Sequence, residues 1–174
     1  MSRPRAILLV GPVFSGKSRF IEDLSSSLGA AGFAVAGFFQ RGAFRADGRK
    51  IGYDLVGLSS GSCRPLARRS EAGDRWLFDD AAFESARGEV REDADLVVID
   101  EIGPLELAGK GHAKAVDRAL SVSPTVLIVV REALADEAVK WLSARADVIR
   151  VCFEPGRGDE ITAEIREILS SKTS

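Results

Sequence analysis

Eight residues constrain this chain more than any others. Gly11-Pro12-Val13-Phe14-Ser15-Gly16-Lys17-Ser18 matches G-x-x-x-x-G-K-[ST] without deviation. The run before it, Ala6–Val10, is short and wholly apolar, the pattern of a strand buried on both faces of a parallel sheet. From Lys17 onward, Phe20, Ile21, Leu24 and Leu28 fall on one helical face, and Gly29 is placed to end the helix. The chemistry of the loop follows from its residue types. Glycines let successive backbone N–H groups turn inward. The helix that follows aims free amides and the positive end of its dipole at the same point. Lys17 adds a compact charge for β- and γ-phosphates, and Ser18 a hydroxyl suited to Mg²⁺. Gly11 through Ser18 are therefore expected to cradle the phosphates of a nucleotide. The competing reading is a chance match in a chain with 17 glycines. The buried strand and amphipathic helix on either side weigh against it.

The rest of the chain alternates in the same way. Ala34–Gln40, Leu96–Ile99, Thr125–Val130 and Val148–Phe153 read as strands. Asp79–Val90, Gly111–Leu120 and Ala133–Ser143 read as helices, as does a final segment capped by Asp159 with Ile161, Ile165, Ile168 and Leu169 inward. This predicts an α/β fold, a mainly parallel sheet covered on both faces. Arg41–Arg69 departs from the alternation. Asp47-Gly48 is a hairpin turn between Phe44–Ala46 and Ile51–Tyr53, and Ser59–Ser62 is a second turn before a short arm, Cys63–Ala67. Pro65 makes that arm an edge strand or no strand. These hairpins should extend one edge of the sheet.

The length, 174 residues, suits one domain spanning residues 1–174. With 24 Lys and Arg against 26 Asp and Glu, no basic excess exists to drive non-specific nucleic-acid binding. Cys63 and Cys152 are too few for a disulfide scaffold and lack zinc spacing, so they read as buried thiols in a reducing compartment. No run approaches the roughly 20 apolar residues of a membrane span. Gly11-Pro12 cuts the N-terminal apolar run too short for a signal peptide. A soluble cytoplasmic protein is expected.

In parallel α/β sheets, ligands sit at the C-terminal ends of the strands. Leu96–Ile99 ends in Asp100-Glu101. Asp100 is placed to hold Mg²⁺, directly or through a water, and Glu101 to orient and deprotonate a water for attack on a γ-phosphate. Alone, the pair reads as a solvated strand end; beside the phosphate loop, the chemical reading prevails. Arg131 follows Thr125–Val130 and is either a transition-state cation or a solvated loop arginine. Arg157 follows the last strand, where a guanidinium can stack on a nucleobase. His112, the only histidine, reads as a surface or capping residue. Tyr53, Trp76 and Trp141 read as packing residues, and Arg64, Arg68 and Arg69 as a solvated cluster. The chain must turn sharply at Gly103-Pro104, and packing of Leu105 and Leu107 would then fix Glu101 near the metal.

Together these residues resemble the nucleoside-triphosphatases of the THEP1 type. The resemblance rests on the phosphate loop and on three further stretches. The first is Gly37-Phe38-Phe39-Gln40 with Gly48–Tyr53 and Leu66-Ala67, and the second is Trp76–Asp80 through Phe83-Glu84 and Ala86. The third and most specific is Ile99-Asp100-Glu101-Ile102-Gly103-Pro104-Leu105-Glu106-Leu107. The likeness covers nearly the whole chain. It implies a three-layer P-loop NTPase fold with a RecA-like core, and slow Mg²⁺-dependent hydrolysis of ATP, GTP, CTP and UTP to their diphosphates. It implies no settled physiological substrate and leaves any protein partner open. Two departures stand out. Gln40-Arg41 occupies the place where the family often has Thr and an acidic residue, and Gly156-Arg157 the place where it often has Asn-Arg.

Two other functions suit the same core. A small-molecule or nucleotide kinase usually closes an Arg-rich lid, but Val130–Val148 holds only Arg131 and Arg145. A non-enzymatic nucleotide-binding adaptor in cofactor assembly would need the loop without turnover. A GTP-specific switch is disfavoured, because no Asn-Lys-x-Asp motif follows Thr125–Val130.

Overall fold

The alternation of apolar runs and amphipathic stretches resolves into one sheet. A computed structural model describes residues 3–171; Met1 and Ser2, at the head of the N-terminal run, and residues 172–174 lie outside them. Among the described residues the strands are β1 (Arg5–Gly11), β2 (Val35–Phe44), β3 (Lys50–Gly57), β4 (Cys63–Arg69), β5 (Trp76–Phe78), β6 (Leu96–Ile102), β7 (Thr125–Arg131) and β8 (Asp147–Cys152). They lie in the order β5-β4-β3-β2-β6-β7-β1-β8. From β2 to β8 across the sheet, neighbours are parallel; β2 to β5 are antiparallel. The helices are α1 (Lys17–Ala30), α2 (Asp80–Gly88), α3 (Pro104–Leu107), α4 (Ala113–Val122), α5 (Ala135–Ser143) and α6 (Gly158–Ser170).

Strand periodicity explains the uninterrupted apolar runs. In β1, Ala6, Leu8 and Val10 enter one core with α2, α4 and α5, while Ile7 and Leu9 enter a second core with α1 and α6. Both faces are buried, so every position must be apolar. The result is three layers, with the C-terminal ends of five parallel strands along one edge.

Several local expectations change. β4 is not the edge: β5 covers Ala67–Arg69, and Pro65 lies outside that pairing, opposite Asp54 at a register irregularity. There a missing N–H is tolerated. Helix α1 runs past Gly29, and the left-handed residue is Gly32 (φ 92°). Asp159 sits in the first turn of α6 rather than capping it, and Arg157 occupies the N-cap. Both cysteines are exposed, not buried. Cys152 alternates with the inward Val151 on edge strand β8, and Cys63 opens β4 beyond the reach of β5. Among the described residues, no helix is long and apolar enough to cross a membrane.

Gly37 shows how tightly β2 meets β6. Its φ is 99°, and a Cβ there would lie 2.0 Å from the Val98 carbonyl oxygen and 2.7 Å from the Val98 nitrogen. Backbone atoms of a central strand cannot give way. Gly37→Ala is therefore expected to cost roughly 2–4 kcal/mol, combining left-handed strain with overpacking. Urea unfolding of the variant against wild type measures it.

Candidate active site

The loop after β1 follows its glycine chemistry. Gly16 adopts φ 89° and is the N-cap of α1, so the helix begins directly at Lys17. Phe14 is left-handed as well (φ 57°) and 88% exposed. Residues Val13 to Ser18 line a cavity of about 410 Å³ together with Gln40, Lys50, Tyr53, Asp100, Glu101 and Arg131. The Lys17 ammonium is folded onto its own loop, donating to the carbonyls of Gly11 (3.1 Å) and Pro12 and to Ser15 Oγ (3.2 Å). Burial lowers its pKa, and the charges of Glu101 and Asp100 oppose that shift.

Asp100 reaches the loop across β7. Its Oδ2 accepts from Ser18 Oγ at 2.7 Å and from the Gln40 amide at 3.0 Å. The carboxyl is 2% exposed, and burial pushes its pKa up to about 6. Two hard oxygens, a carboxylate and a hydroxyl, thus face each other in a dry corner of the cavity. That donor set fits Mg²⁺, which takes one or two protein oxygens and completes its shell with phosphate and water.

Glu101 is presented by a bulge. Ile99 pairs with Ile128 and Ile102 with Val130, so β6 carries one residue more than β7 across this interval. Glu101 takes the strain with φ 87°, rare for a side chain with a Cβ. A regular strand would alternate the two carboxylates between opposite faces. The bulge instead lets both line the same cavity. Arg131 sits opposite Gly11 in the parallel register, and its Nε donates to Glu101 Oε1. Arg157 lies apart: it is exposed, pairs with Glu154 and Glu160, and does not line the cavity.

Three groups that the sequence reading left aside belong to the site. Gln40 holds Asp100 twice, through its backbone amide and through Nε2 to the Asp100 carbonyl (3.1 Å). Lys50 places its ammonium over the rings of Tyr53 (3.8 Å) and Phe14 (5.7 Å) at the cavity's mouth. Glu106, not the leucines beside it, anchors the turn after Glu101. It is buried and accepts from the amides of Gly103 (2.8 Å) and His112 (3.0 Å), whereas Leu105 is exposed. Burial raises the pKa of Glu106. Its reach back to Gly103 is the carboxylate half of a helix-capping box on α3.

His112 is neither a surface residue nor a side-chain cap. It occupies the N-cap position of α4 but is 2% exposed, wedged between Phe38 (4.6 Å) and Phe83 (4.8 Å). Burial lowers its pKa to about 4. The unfolded chain, near 6.5, binds the proton first as pH falls. The share of stability that His112 carries is therefore full above about pH 6.5 and is lost on acidification down to about pH 4, while Asp100, with its raised pKa, contributes in the opposite direction. Between pH 7 and 5 the His112 share should fall by about 2 kcal/mol, read as the change in the difference between wild type and His112→Phe in urea unfolding at the two pH values.

With this geometry in hand, the comparisons with known proteins are informative. The sequence profile of a family described as NTPase matches residues 6–169. The "Nucleoside-triphosphatase THEP1" of Methanopyrus kandleri is 31% identical over 172 residues, covering 94% of each chain. The human "Cancer-related nucleoside-triphosphatase" is 33% identical over 141 residues, covering 71% of this chain and 73% of that one. The solution structure of a human cancer-related nucleoside triphosphatase superposes with a TM-score of 0.74 at 29% identity, covering 98% of this chain and all of that one. The crystal structure of THEP1 from Aquifex aeolicus, at 17% identity and a TM-score of 0.69, shares the fold. The profile, the relatives and the phosphate-loop geometry agree: this chain belongs to the NTPase family and is of the THEP1 type.

Proposed function

We propose that the protein hydrolyses nucleoside triphosphates to diphosphate and phosphate in a Mg²⁺-dependent reaction. The observation that carries this reading is the 2.7 Å contact of Ser18 Oγ with the buried Asp100 carboxylate, beside the strained Glu101 and in one cavity with Lys17. The loop amides and Lys17 bind the β- and γ-phosphates, Lys17 exchanging its loop carbonyls for phosphate oxygens. Ser18 and Asp100 would hold the metal, with Gln40 fixing Asp100 in place. Mg²⁺ held there would supply positive charge to offset what develops on the phosphates. Glu101 orients the attacking water and takes its proton as the γ-phosphoryl leaves. Arg131 stands at the same end and holds the Glu101 carboxylate by an ion pair. Its guanidinium is also within the cavity lining, positioned to meet transition-state charge.

The groups named for binding meet phosphates, and no acidic side chain is assigned to a base edge. Discrimination among bases should therefore be weak. Phosphate release from ATP, GTP, CTP and UTP should agree within about a hundredfold, roughly 2.7 kcal/mol, and should vanish when EDTA replaces Mg²⁺. A larger preference for one base, or release that survives EDTA, contradicts this function.

A further inference from the structure

Beside the phosphate-loop cavity lies a second cavity of about 280 Å³ that hydrolysis does not use. Its walls are aromatic: Tyr53, Trp76, Phe78 and Phe83. Phe78 and Phe83 stack with ring centroids 5.9 Å apart, and Tyr53 and Trp76 lie 5.4 Å apart. Phe78 remains 48% exposed and Leu105, which also lines the cavity, 37%. Such apolar exposure around a concavity marks a binding surface. His112 also lines this cavity, and neither of its buried ring nitrogens has a hydrogen-bond partner among the described residues. A neutral imidazole carries one donor and one acceptor. Leaving both unpaired in a dry site is costly, so a polar partner is missing there.

The second cavity adjoins the first. Gln40, Tyr53, Glu101 and Arg131 line both. A molecule seated among the rings would therefore meet Glu101 from the side away from Lys17. The volume lies below that of drug-sized sites, which suits one or two rings.

We propose that this cavity binds a small planar aromatic alcohol and presents its hydroxyl to Glu101 as a phosphoryl acceptor in place of water. The inference rests on the assignment of Glu101 as the proton acceptor. The alcohol oxygen attacks the γ-phosphorus, its proton passes to the Glu101 carboxylate, and the bond from the γ-phosphorus to the β–γ bridging oxygen breaks. The products are a phosphate monoester and the nucleoside diphosphate. The ring stacks on Trp76 and Phe83, a ring heteroatom satisfies His112, and the bound ligand excludes water from the γ-phosphate. Water attack is then the reaction of the enzyme without its acceptor.

The test uses benzyl alcohol, pyridine-3-methanol and 2-(indol-3-yl)ethanol, with cyclohexylmethanol as the non-aromatic control. Binding of the first two is read by quenching of Trp76 fluorescence in a Trp141→Phe background, and of the indole probe by calorimetry. Transfer is read as labelled monoester formed from γ-³²P-ATP with Mg²⁺, alongside free phosphate. At least one aromatic probe should bind saturably and yield monoester, with ADP equal to monoester plus free phosphate, and cyclohexylmethanol should yield at least tenfold less monoester. Trp76→Ala should lower monoester formation at least tenfold while free phosphate release without probe stays within twofold. Saturable binding with no monoester overturns the acceptor role, and no saturable binding by any aromatic probe overturns the site. Failure of free phosphate release in the absence of every probe is a different result, since it removes the hydrolysis reading on which the inference rests.

Discussion

Lys17→Ala is expected to remove triphosphate turnover while leaving the fold intact. Among the described residues the Lys17 ammonium hydrogen-bonds within its own loop, to Gly11, Pro12 and Ser15, and its side chain lies in neither hydrophobic core. Truncation therefore creates no core cavity, and the unfolding free energy should stay within about 0.5 kcal/mol of wild type. Under the proposed function the same charge meets the β- and γ-phosphates at the loop. Removing a donor aimed at developing charge costs about 10²–10³-fold in rate. Loss of ground-state binding adds to that, so turnover should fall below detection. Phosphate release paired with urea unfolding of the same preparation measures both effects. Unchanged release in a folded Lys17→Ala protein would remove the phosphate-loop assignment.

The parts of this molecule legible in the sequence are those where one physical demand fixes residue type at several positions. β1 reads clearly because its alternate residues serve two cores and all must be apolar. Gly16 and Lys17 read clearly because few residues can turn amides inward and follow them with a charge. Asp100 and Glu101 read as a strand end, but the bulge that sets both in one cavity does not, since it is a property of pairing with β7. The hold of Gln40 on Asp100 is not legible in the sequence, because half of it is a backbone amide, which any residue but proline supplies. β5 is three residues long, too short to show a period. Glu106 was hidden in a run of leucines, where helical position rather than residue type decides which side chain turns inward. His112 illustrates the reverse error. A lone histidine after a glycine looks like a surface cap, and only the placement of Phe38 and Phe83 shows it to be buried.

Glu101→Gln separates binding from chemistry. Gln keeps the size of the side chain and can still donate to or accept from a water, but it cannot take a proton. The bulge and its positive φ belong to the backbone, so the geometry at Asp100, Ser18 and Lys17 should persist. Asp100→Asn should differ by weakening the Mg²⁺ dependence as well as the rate, because it alters the oxygen that faces Ser18. The most direct measurement is single-turnover phosphate release by Glu101→Gln at saturating Mg²⁺-ATP, with nucleotide affinity determined on the same protein. The predicted result is affinity near wild type and a rate lowered by about 10²–10⁴-fold, the range for losing a positioned acid–base group. Phosphate release at the wild-type rate would contradict the assignment of Glu101 as the base, and with it the account of hydrolysis at this site.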